Sequence, residues 1–137
     1  MTKDELERIL IVDDNPILRG TLAQWLRAAG HDVVTADTGE CAFFILRDWG
    51  HPIGWLYTRA ALPGLIDGWI LADAYHDTHP DRAAVISAPE ARRSVQGDIV
   101  LKQPTPTTVL ETLGHVINTE RTLYGCADVI NGPRRAA

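Results

Sequence analysis

Five short apolar runs, separated by amphipathic stretches and turns, set the frame of the 137-residue chain. Residues 6–12 read Leu-Glu-Arg-Ile-Leu-Ile-Val, and the continuously apolar second half marks a strand buried on both faces. Asn15 suits an N-cap and Pro16 the first helical position, where a missing N–H is of no consequence. Ile17, Leu18, Thr21, Leu22, Trp25, Leu26 and Ala29 then recur at helical spacing until Gly30 stops the helix. Residues 31–36 alternate around Val33 and Val34 as a second strand. Thr38-Gly39-Glu40 opens a second helix with Ala42, Ile45, Leu46 and Trp49 on its apolar stripe, and Gly50-His51-Pro52 breaks it.

The third run, residues 53–57, reads as a buried strand that ends in Thr58 and Arg59. Pro63-Gly64 and Asp67-Gly68 punctuate the loop after it, with Asp67 as a loop-shaping residue. A third helix is expected over 65–79, with Trp69, Ala72 and Tyr75 inward. A fourth strand over 83–86 leads to Ser87-Ala88-Pro89, and residues 90–95 suffice for a short fourth helix at most. A fifth strand over 99–101 ends at Lys102. Thr105 and Pro106 then start a last helix that carries Val109, Leu110, Leu113, Val116 and Ile117 on one face. The pattern fades near residue 121, so residues 1–121 read as one domain and 122–137 as a partly flexible extension.

Alternating strands and helices imply an α/β fold, a parallel sheet covered on both faces. Right-handed crossovers bring every strand's carboxyl end to one edge, where ligands and chemistry usually sit. Asp13, Asp14, Arg59, Ser87 and Lys102 all follow strands and should gather there. Thr58 alternates to the other face of its strand and is a poor substitute nucleophile.

Composition narrows the classes. The chain is 45% hydrophobic and 23% charged, as in soluble globular domains. A net charge of −5 argues against nucleic acid as a direct partner. Cys41 and Cys126 make no disulfide framework, and no apolar run approaches a membrane span, so a cytoplasmic, membrane-free protein is expected. The five histidines show no metal-ligand spacing, and neither a phosphate-cradling Gly-rich loop nor a nucleophile–base pair is present.

An acidic pair after strand one, a Pro-Gly…Asp-Gly loop after strand three, a hydroxyl after strand four and a lysine after strand five resemble the receiver domain of two-component response regulators. The most telling segments are Ile9-Leu10-Ile11-Val12-Asp13-Asp14-Asn15-Pro16 and Leu62-Pro63-Gly64-Leu65-Ile66-Asp67-Gly68. The resemblance spans about residues 8–121. It implies a flavodoxin-like (βα)5 doubly wound sheet with strands in the order 2-1-3-4-5, here with a shortened fourth helix. In that family an aspartate four residues before the loop proline accepts a phosphoryl group from a kinase phosphohistidine. Four residues before Pro63 stands Arg59, whose guanidinium stays protonated and offers no lone pair.

The resemblance also implies a cation-neutralised acidic pocket, whereas here Asp13 and Asp14 face Arg59 and Lys102. Arg59 is therefore expected to take the metal's electrostatic place, paired with Asp14 or Asp13, leaving Mg²⁺ binding weak or absent. A partly buried pair of this kind would cost about 3–5 kcal/mol to break. Ser87 matches the hydroxyl that follows the phosphate. Lys102 is separated from Pro104 by Gln103, and the aromatic switch position is Ile99. The interval from Ser87 to Lys102 falls short of the family by roughly two helical turns.

These departures favour an atypical stand-alone receiver that is not an enzyme and acts by phosphorylation-independent binding. The partner would be a histidine kinase, a phosphotransfer protein or another regulator, and a homodimer stays open. The alternatives are a receiver still weakly phosphorylated at another carboxylate and a flavodoxin-like small-molecule binder.

Overall fold

The computed structural model describes residues 7–131, with side chains through residue 119. Five parallel strands, β1 (Arg8–Val12), β2 (Asp32–Ala36), β3 (Ile53–Arg59), β4 (Val85–Ala88) and β5 (Ile99–Lys102), form one sheet in the order β2-β1-β3-β4-β5. Four helices connect or follow them: α1 (Pro16–Ala28), α2 (Gly39–Leu46), α3 (Gly68–His76) and α4 (Pro106–Asn131). The doubly wound α/β fold implied by the sequence is the fold observed.

Strand alternation divides the core into two layers. Leu10, Val12, Leu56 and Ile86 pack toward Ala42, Leu46, Leu71, Ala72 and Tyr75 of α2 and α3. Ile9, Ile11, Trp55, Tyr57 and Val85 pack on the other face against Leu22, Leu26, Val109, Leu113 and Ile117 of α1 and α4. Every residue of β3 from Ile53 to Thr58 is buried, as the apolar central run requires. Asn15 caps α1 as expected, its Oδ1 accepting from the N–H groups of Ile17 and Leu18.

The short fourth helix is not present: residues 89–98 cross from β4 to β5 without one. That stretch is too brief to repay helix nucleation and has no apolar stripe, since Val95 is almost fully exposed. Side-chain bonds hold it instead. Ser94 donates to Asp98, and the Gln96 amide donates to Asp73 on α3 at 2.6 Å. Asp98 also accepts from the Ala84 N–H at 2.8 Å and lies 2.6 Å from Nε2 of His76 at the end of α3.

Other boundaries moved for local reasons. α3 begins at Gly68, not 65, because Asp67 is its N-cap, accepting from the Ile70 N–H. Trp49 falls beyond α2, which ends at Leu46, and Trp25 lies outside the buried sector of α1 made by Leu22, Ala23 and Leu26; both indoles are more than half exposed. The last helix continues past residue 121 to Asn131, so the first part of the expected extension is helical, while residues 132–137 lie outside the described residues. No helix among the described residues is long and apolar enough to cross a membrane.

Candidate functional site at the carboxyl edge of the sheet

β1, β3 and β4 deliver their chemistry to one edge. Asp13 directly follows β1, and its backbone N–H still bonds to the Ala36 carbonyl of β2, which fixes the strand end. Arg59 closes β3 opposite Ser87 of β4, and the Ala60 N–H continues that ladder to the Ser87 carbonyl. Asp13, Tyr57, Arg59 and Ser87 project on the α1/α4 side of the sheet by the same alternation that places Thr58 on the other. Thr58 is fully buried and its hydroxyl turns to the Arg59 carbonyl, as its expected exclusion from the pocket requires.

The Arg59 guanidinium reaches both acidic residues, with Nη1 3.3 Å from Asp14 Oδ1 and 3.6 Å from Asp13 Oδ1. Asp13 is fully buried, whereas the side chains of Arg59 and Asp14 are 40% and 43% exposed. The expected pairing is therefore present, with one arm to the buried Asp13 and one to the partly exposed Asp14. Solvent screens the Arg59–Asp14 arm, and such an exposed pair contributes about 0.2–1 kcal/mol.

Asp13 is held by more than Arg59. Its Oδ1 accepts from the Asn15 N–H at 2.8 Å and its Oδ2 from the Tyr57 hydroxyl at 3.3 Å. Arg19 of α1 binds the Asp13 carbonyl at 2.7 Å. Burial raises the Asp13 carboxyl above the ordinary aspartate range, and the Asn15 N–H, Arg59 and Tyr57 oppose that rise. The Tyr57 phenol is itself pushed well upward, chiefly by burial and then by the Asp13 charge. Ser87 hydrogen-bonds to the Tyr57 hydroxyl, so a polar chain runs from β4 through β3 to β1: Ser87, Tyr57, Asp13.

Tyr57 is the residue that sequence reasoning placed only in the core. The signal was available, because it stands two positions before Arg59 and therefore on the same strand face. Lys102 ends β5 and is exposed, and it forms no ion pair among the described residues. The constellation is thus tight at Asp13, Asp14, Arg59 and, through Tyr57, Ser87, while Lys102 stands apart from the ion pairs. Ile99 pairs with Val85 and packs half-buried on the α1/α4 layer. Gln103, between Lys102 and Pro104, adopts φ 42° and its N–H bonds to the Ala88 carbonyl, so this turn is a left-handed one.

The loop after β3 is shaped as the Pro63-Gly64…Asp67-Gly68 spacing suggested. Gly64 takes φ 93°, and the Glu40 carboxylate of α2 clasps the following Leu65 N–H at 2.8 Å. That bond holds Glu40 below the ordinary carboxylate range. Gly68 abuts the end of β3, where a Cβ would collide with the Arg59 carbonyl. The loop therefore packs on the backbone that carries Arg59.

A divalent cation does not fit the residues as they stand. Both Asp13 oxygens are engaged by donors, and the Arg59 cation already lies against both carboxylates. Among the described residues no group of three or more His, Cys, Asp or Glu side chains is assembled for a metal.

No family model matches the sequence, and no curated protein matches it either. Solved structures do. A response-regulator receiver protein from Sinorhizobium medicae is 24% identical with TM-score 0.72, over 82% of this chain and 94% of that one. A two-component transcriptional regulator from Clostridium phytofermentans is 23% identical with TM-score 0.71, over 87% and 98%. A receiver domain protein from Methanospirillum hungatei is 21% identical with TM-score 0.70, over 85% and 97%. With its 2-1-3-4-5 parallel sheet, the chain has the fold of a response-regulator receiver domain.

Proposed function

We propose that the chain is an atypical receiver of two-component signalling, not an enzyme, that binds a protein partner without being phosphorylated at the family's acceptor position. The observation that carries this reading is Arg59, set where the acceptor aspartate is expected and clasped between Asp13 and Asp14. A fixed guanidinium supplies permanently what a bound cation would supply reversibly, and it offers phosphorus no nucleophile. One conformation is then held where a conventional receiver exchanges two. The partner is a histidine kinase, a phosphotransfer protein or another regulator, docked on the carboxyl-edge end of α1 or on the β5 and α4 face.

Intact mass after incubation with acetyl phosphate and Mg²⁺ tests the reading, with Arg59→Asp as comparison. An unmodified native protein beside a labelled variant is expected. A labelled native protein would overturn the proposal in favour of weak phosphorylation at another carboxylate. Asp14, the partly exposed member of the pair, is the residue on which that second reading rests.

A further inference from the structure

α3 closes on His76, and the segment crossing from β4 to β5 closes on Asp98, directly before β5. Nε2 of His76 lies 2.6 Å from Asp98 Oδ1, and Nδ1 lies 3.0 Å from the His79 carbonyl oxygen. The two side chains are buried, with 9% and 3% of their surface exposed. Both ring nitrogens therefore face acceptors in a place that water barely reaches.

This arrangement counts protons. A carbonyl has none to give, so Nδ1 carries a proton toward His79. Two bare lone pairs do not meet at 2.6 Å, so a second proton lies between Nε2 and Asp98. The same carboxyl group accepts from the Ala84 N–H at 2.8 Å through Oδ1 and from the Ser94 hydroxyl at 3.1 Å through Oδ2. Such donors favour its ionised form, which leaves the second proton on the ring. A cation also suits the last turn of a helix. His51, by contrast, meets Asp48 through Nδ1 alone, and its side chain is 65% exposed.

The other charges nearby are already engaged or lie to one side. Asp73, one turn back on α3, accepts from Gln96. Arg92 stacks on Trp69 at 4.0 Å, and Arg93 lies beside it along the crossing segment. His79 turns its own Nε2 to the Ile53 carbonyl, and the Tyr75 ring lies 5.6 Å from that of His76.

We infer that His76 is an imidazolium in the folded protein and that its second proton is a pH-operated latch on the β4–β5 segment. A neutral ring has one N–H to donate. When rising pH passes the second proton to water, one ring nitrogen turns a lone pair toward an acceptor and its bond is lost. Asp98 then remains charged and buried without its cationic partner, and it relaxes toward solvent. The Ala84 N–H and the Ser94 hydroxyl lose their acceptor together, and the segment keeps only the exposed Gln96 bond and the Arg92 stack. Acidification closes it again. The inference does not depend on the receiver reading.

NMR of the full chain tests it from about pH 5 to 8, where imidazole ordinarily changes charge. Long-range proton–nitrogen spectra should show both His76 ring nitrogens protonated at the acid end and one at the alkaline end. Over the same range the Ala84 amide, measured relative to the amides of β1, should lose about ten-fold or more of its hydrogen-exchange protection, as loss of a charged hydrogen bond implies. In Asp98→Asn, which keeps an oxygen for Ala84 but not the charge, that protection should stay level. His76→Gln, a second variant with a neutral donor, should stay level too. A single His76 ring proton at the acid end would overturn the latch. So would Ala84 protection that is level in the native protein or falls as steeply in the variants.

Discussion

At the scale of single residues, Asp13 shows how one carboxylate can be buried and still tolerated. Its two oxygens take an amide, a phenol and the fringe of a guanidinium, which offset part of the loss of water. Burial still dominates, so its carboxyl titrates above the ordinary value of 3.8. Between the unfolded and the raised native value the folded state keeps a proton that the unfolded chain has released. Stability contributed by this group therefore falls as pH rises through that window. Urea midpoints of native protein and Asp13→Asn, measured from pH 3.8 upward, should separate accordingly, with the native protein losing ground to the variant as pH rises. Parallel profiles would contradict the assignment. Tyr57→Phe is the companion experiment. It removes the hydroxyl between Asp13 and Ser87 and should lower stability by about 1–3 kcal/mol in urea unfolding, the usual consequence of stranding buried polar partners.

At the scale of elements, the loop after β3 is held by its neighbours more than by its own sequence. Glu40 of α2 supplies the bond to Leu65, and Gly68 allows α3 to start against β3. Because Glu40 titrates below its ordinary 4.5, the clasp is present above that value and is lost as pH falls through the lowered native one. Glu40→Gln should abolish the pH dependence of the Leu65 amide protection factor in hydrogen exchange, and an unchanged profile would sink the clasp. Gly68→Ala should destabilise by about 1–3 kcal/mol in chemical denaturation, as overpacking against a backbone does. The strands and the cap at Asn15 were legible because apolar runs and capping residues act locally, whereas Asp67, read as loop-shaping, caps a helix that starts three residues later than expected. What was not legible depends on contacts between distant segments. Trp25 and Trp49 looked like core by spacing but lie outside the faces that the sheet covers. Residues 90–95 have passable helical composition, yet Asp73, Asp98 and Trp69 hold them as a loop. Tyr57 was legible as a buried side chain, but its bond to Asp13 joins residues 44 positions apart, beyond what periodicity reports.

At the scale of the whole molecule, the sheet is not equally protected from edge to edge. β1 and β3 are covered on both faces, whereas the residues of β5 are only half-buried and end in an exposed lysine. β5 pairs on one side with β4, and the segment leading into it is tied down chiefly through Asp98. That carboxylate joins three places at once: the end of α3 at His76, the entry to β4 at Ala84, and Ser94 in the crossing segment. Its side chain is nearly fully buried, so its donors have no water to turn to when it is removed. Asp98→Ala should therefore cost about 1–3 kcal/mol, the range for stranding buried hydrogen-bond partners. Its effect should also be uneven, because β1 and β3 keep every packing contact they have. Native-state hydrogen exchange of the variant should show the amides of β5 opening well below the global unfolding free energy, while those of β1 and β3 still exchange only by global unfolding. If β5 instead stayed as protected as the central strands, the sheet would unfold as a single unit and Asp98 would be one buried acid among several, not the tether of its weak edge.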